Sequence, residues 1–184
     1  MKSGLNVDNR AALAWEILGV FFILGAGYVL HFLFQWSGNS PAVASFAAVN
    51  ESVWEHLKLA FWPAAAWTLL ERGPLNTRVN NFRLARTLGT ALMPLLIVTL
   101  FYFYMFLLGR HVLFLDITIF VLAVLTGQYV SYRLLTGDER RPGINMLAPA
   151  VIVVLAVAFI VFTFVPPRAG LFLDTATQTY GIPR

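Results

Sequence analysis

Cysteine is absent from this 184-residue chain. That excludes disulfides, thiolate metal ligands and a cysteine nucleophile. Charge is scarce as well: Asp, Glu, Lys and Arg make up 12% of the residues, about half the share usual in soluble domains. Neither H-E-x-x-H nor G-x-S-x-G occurs, nor any internal repeat or low-complexity tract. The two commonest hydrolase signatures are therefore missing. What is plentiful is apolar surface, with 59% hydrophobic residues and a mean hydropathy of +0.73. Length and composition together predict one all-α integral membrane domain over 1–184.

The net charge of +4 does not point to nucleic acid, because the arginines fall between apolar runs, where they read as topology signals. Lys2 and Arg10 precede an apolar run over 11–34. A signal peptide has an apolar core of roughly 7–15 residues and a small-residue cleavage site. This run is longer and has no A-x-A, so a retained membrane anchor is expected.

Five segments reach the roughly 20 apolar residues a spanning helix needs: 15–34, 51–70, 88–108, 113–134 and 145–165. Pro94 lies inside the third, and Pro166-Pro167 stops the last. With the N-terminus in the cytoplasm, Lys2, Arg10, Arg72, Arg78, Arg83, Arg86, Arg133, Arg140 and Arg141 fall inside. Lys58, Arg110, Arg168 and Arg184 then fall outside. The positive-inside rule favours this arrangement, N-in and C-out, with an extracytoplasmic tail over 166–184.

The densest polar stretch is 49–58, V-N-E-S-V-W-E-H-L-K, at the start of the second expected span. On a helix of 3.6 residues per turn, Glu51, Ser52, Glu55, His56 and Lys58 share an arc of about 160°. Polar side chains grouped in this way face a bundle interior or a wet cavity. Glu51 and Glu55 are a like-charge i, i+4 pair, relieved by a cation, a proton or the Lys58 ammonium. A purely structural account is also available: Asn50 caps the helix, Glu51 meets its dipole, Glu55 pairs with Lys58, and Trp54 anchors at the interface.

That account leaves His31, His56 and Asp116 aside, three groups that the expected topology brings to the outer half. With Glu55 they supply the imidazole and carboxylate ligands that suit a divalent metal such as zinc. Catalysis would fall to Glu51, Glu55 and His56. Asn50, Ser52, Trp54 and Lys58 are candidate ligand contacts, joined by Asp174 and Tyr180 if the tail folds back over the pocket. Ser52 and His56, four residues apart, form a weaker nucleophile–base candidate. The inner halves of the spans hold few ionisable groups on this reading, so a one-sided pocket is expected rather than a path across the membrane.

At the stretch N-E-S-V-W-E-H-L-K the chain resembles a family of small polytopic membrane proteins of bacteria and archaea whose function is unknown. The H-F-L-F-Q-W-S-G-N segment (31–39), L-F-L-D-I around Asp116 and the tail D-T-A-T-Q-T-Y-G-I (174–182) carry the same resemblance. It implies a multi-helix protein of a prokaryotic plasma membrane and no particular activity. A looser resemblance, to membrane hydrolases related to alkaline ceramidases, concerns their histidine–aspartate zinc site. This chain lacks their paired H-x-x-x-H and has fewer spans.

The reading that follows is an outward-facing pocket for a small polar or amphiphilic, lipid-like ligand, with metal-assisted hydrolysis as its enzymatic form. The alternatives are a small transporter or proton-linked binding protein, and an accessory subunit of a membrane complex. The partners expected are the lipid bilayer and that ligand, with no nucleic acid.

Overall fold

The computed structural model describes residues 8–182. Among them are seven α-helices, one 3-10 turn and no β-strand. Helix α1 runs Asn9–Trp36, and the Asp8 carboxylate accepts the Ala11 N–H at its start. A single turn, α2 (Pro41–Ala44), leads into α3 (Val53–Leu75). Then come α4 (Phe82–Leu108) and α5 (Leu113–Thr136). Helices α6 (Pro142–Leu147) and α7 (Pro149–Phe164) are interrupted at Pro149, which cannot donate to the preceding turn.

Four stretches are long and apolar enough to cross a membrane: α1, α4, α5 and the combined α6–α7. The remaining expected span, the second, corresponds to α3, which has the length but not the apolarity. Glu55, His56, Lys58, Glu71 and Arg72 lower its hydropathy, and its place in the fold explains them. It packs against α1, α4 and α7, and its charged residues Glu55, Lys58 and Glu71 are buried. The four apolar helices keep large side chains such as Phe21, Leu95, Phe114 and Val154 exposed. Phe106 is 86% exposed while Lys58 is 0%. Apolar outside and charged inside is the arrangement hydrocarbon demands.

Several helices extend past their expected edges. α1 begins at Asn9 rather than near 15, α3 ends at Leu75 rather than near 70, and α4 begins at Phe82 rather than near 88. The turns added to α3 and α4 carry Glu71 and Arg86, both buried and facing the buried Glu16 of α1, so that Arg86 offsets part of the charge of the two acids. Arg86 is therefore a buried helix residue rather than a loop charge reporting topology. Asn81 sets the start of α4. Its side chain donates to Leu134 O and Asp138 O and accepts the Arg140 N–H, tying α4 to the end of α5.

Helices α4 and α5 approach backbone to backbone where Gly89 meets Gly127. A Cβ on Gly127 would lie 2.7 Å from Gly89 O and from Met93, and a Cβ on Gly89 would lie 2.8 Å from Gly127 O. Only hydrogen fits, as in other membrane helix pairs packed through small residues. Gly127→Ala should therefore destabilise the protein by about 1–3 kcal/mol, read as a lower thermal midpoint in detergent. Gly25→Ala, with nothing within 4 Å of the added methyl, should leave that midpoint unchanged.

Candidate functional site

The start of α3 is built by its capping residue. Ser52 is extended and its Oγ accepts the Glu55 N–H at 3.4 Å. Asn50, the expected cap, acts elsewhere. Its Oδ1 accepts the Ser52 N–H and its Nδ2 donates to Gly181 O at 2.8 Å. The tail is thereby fastened to the loop before α3. Because the helix begins at Val53, Glu51 lies outside it, and the expected one-faced pair of Glu51 and Glu55 does not form. Ser52 is buried in its capping role and not placed as an open nucleophile.

Glu55 turns inward. Its Oε2 accepts the Val49 N–H at 3.1 Å and lies 2.5 Å from Lys58 Nζ. Lys58 also donates to Ala44 O and Thr163 Oγ1, both at 2.8 Å, so its three donors are all used. Thr163 Oγ1 in turn donates to Glu55 Oε1 at 3.0 Å. The pairing of Glu55 with Lys58 is as expected. It removes Glu55 from the expected metal ligands, and both residues from direct ligand contact.

His31, Glu51 and His56 come together instead. His31 sits near the end of α1 and His56 at the start of α3, with ring centroids 5.2 Å apart. One donor atom from each of the three lies within 4.8 Å of the others. His56 Nδ1 is 2.8 Å from Ser52 O. A carbonyl can only accept, so Nδ1 carries a proton, and Nε2 is left either to donate to Glu51 as an imidazolium or to offer a lone pair to a cation. That Nε2 is 3.4 Å from Glu51 Oε2, close to the roughly 3.3 Å edge of a tetrahedron with bonds of about 2.05 Å. Two lone pairs at this distance repel unless a proton or a cation lies between them. Glu51 is held below the usual carboxylate range, chiefly by hydrogen bonding to His56 and further by the charges of His56, His31 and His111. This stabilising contribution is present at neutral pH and disappears as pH falls through the carboxylate range.

Asp116 reaches the same end of the bundle but is not in the ligand set. Tyr104 Oη donates to its Oδ1 at 2.6 Å, and His111 Nε2 lies 2.5 Å from its Oδ2. His111 is exposed.

Trp54 is part of the core, with its ring 4.7 Å from that of Phe159 and 4.9 Å from that of Phe172. The tail does fold back. Asp174 is buried and closes a turn by accepting from Ala176 N, Thr177 N and Thr177 Oγ1. Tyr180 bridges to Leu173 at the surface.

A cavity of about 340 Å³ lies at the opposite end, lined by residues including Asn76, Phe82, Arg83, Arg140 and Asn145. A second charged cluster, Glu16, Glu71 and Arg86, lies near that end, and sequence reasoning missed it. Each of the three falls about a turn or two from a helix terminus. Matching depths, the signal that marks His31, His56 and Asp116, would have found it.

Because Lys58 and Glu55 are buried together, removing one partner leaves an uncompensated charge, at a cost of about 3–5 kcal/mol. Lys58→Met should therefore lower the thermal midpoint sharply. Adding Glu55→Gln to that variant should recover most of the loss.

No curated protein and no solved structure matches the chain. A family match covers nearly all of it, over residues 6–182, and the chain belongs to that family, the family of unknown function DUF6512.

Proposed function

We propose that this is a plasma-membrane protein of five crossings, with α3 as the central one, the N-terminus inside and the His31 end facing outward. We further propose that this end binds a divalent transition metal through His31, Glu51 and His56. The observation that carries the reading is the convergence of two imidazoles and a carboxylate from three chain segments. The geometry of His56 supports it: a metal-binding histidine ordinarily donates its other N–H to a carbonyl or carboxylate, as His56 does to Ser52 O.

Three protein ligands leave a fourth tetrahedral position open, as in catalytic rather than structural zinc sites. Glu51 is half exposed, so that position faces water and admits water or a small polar ligand. Metal-assisted hydrolysis is the reading favoured by His111 and Asp116. Their pairing holds an exposed imidazole at the same end of the bundle, a group that would serve as general acid or base where a bound metal would supply an activated water. The transporter reading lacks a comparable support. Between Lys58 and Glu71, about 20 Å apart along α3, the core is made of Phe61, Ala64, Met93 and Ile97.

Elemental analysis of protein purified without chelator should find about one transition metal per chain. His31→Ala or His56→Ala should abolish it. Acidification well below about pH 6.5, the range of free imidazole, should release it, because protons compete with the metal for the histidine nitrogens. A wild type that holds no metal after incubation with zinc, and whose thermal midpoint zinc leaves unchanged, would overturn the reading.

A further inference from the structure

Glu16, Glu71 and Arg86 come from α1, α3 and α4, and none is more than 4% exposed. Arg86 Nη1 lies 3.0 Å from Glu16 Oε1 and 3.1 Å from its Oε2, and Arg86 Nε contacts Glu71 Oε1. Helix α5 contributes Gln128, whose Nε2 donates to Glu16 O at 3.2 Å, and the buried hydroxyl of Ser131. The Trp67 indole borders Glu71. No other acid or base among the described residues is buried with these three.

Two carboxylates and one guanidinium would leave a net negative charge without solvent, a costly state that a buried carboxyl escapes by taking a proton. The partners indicate where. Both oxygens of Glu16 lie within 3.1 Å of Arg86 Nη1, whereas Glu71 meets the guanidinium through Oε1, leaving its buried Oε2 without a charged partner. A bound metal cation is disfavoured by the guanidinium already in contact with both acids.

We propose that Glu16, Glu71 and Arg86 form a buried binding site for one exchangeable proton, carried on Glu71 Oε2. The exchange route is short. Arg86 lies 5.8 Å from the centroid of the Phe82 ring, and Phe82 also lines the cavity at that end of the bundle. Phe82 thus touches both the site and the cavity. This site is separate from the His31 end and does not depend on a metal there.

Infrared difference spectroscopy in water and deuterium oxide tests the proposal directly. The wild type at neutral pH should show the carbonyl band of one protonated, buried carboxyl per chain, shifting on deuteration. Glu71→Gln should lose the band. Glu16→Gln should lose it too, because a single acid opposite Arg86 no longer needs the proton. Circular dichroism and gel filtration would check that each variant folds. Absence of the band from the wild type, or its persistence in either folded variant, would overturn the proposal. So would a wild type without the band that sodium stabilises, since a cation would then occupy the site.

Discussion

The Lys58 ammonium has no exposed surface, and three protein groups replace the water it would otherwise keep. Glu55 supplies the opposite charge, Ala44 a carbonyl and Thr163 a hydroxyl. These groups come from the turn before α3, from α3 itself and from α7. Satisfying one cation therefore fixes the relative positions of three parts of the chain. The consequences reach the candidate site: Val49 donates to Glu55, and this anchors the loop that carries Asn50, Glu51 and Ser52. Glu51 is then free to meet His56 and His31, and Asn50 to hold the tail.

The two ends of α3 use charge differently. At the His31 end the buried Glu55 is matched by Lys58, and the buried Asp174 is satisfied by the hydrogen bonds of its own turn. The groups left over, His31, Glu51 and His56, are partly open to solvent and able to bind from it. At the Glu71 end the acids outnumber the base, and the imbalance is enclosed. One end is thus suited to a ligand that arrives from water, the other to the smallest ligand that can reach a closed site.

Much of the architecture is legible in the sequence, because apolar runs of 20 or more residues admit few alternatives. The helix ends are not. Edges placed by hydropathy stop short of charged residues, yet Glu71 and Arg86 contact each other and Glu16, which lets α3 and α4 continue. A compensated charge looks like an exposed one until its partner, here 70 positions away from Glu16 to Arg86, is known. The dense stretch at 49–58 stands out from the residues alone, as does the pairing of Glu55 with Lys58. Its division into a buried half and an open half does not, because that depends on the helix starting at Val53 rather than Glu51. Asp116 falls at the expected end of the bundle, but its Tyr104 and His111 partners decide its role.

The central claim is that α3, despite its charges, crosses the membrane through the middle of the bundle and separates the two sites. The absence of cysteine makes this directly measurable. Gln35→Cys and Thr77→Cys place single thiols at exposed positions flanking α3, and each can be challenged in intact cells with a membrane-impermeant maleimide. The account predicts labelling of Gln35→Cys from outside and protection of Thr77→Cys until the membrane is permeabilised. Labelling of both from the same side would mean that α3 does not cross, and would contradict the account.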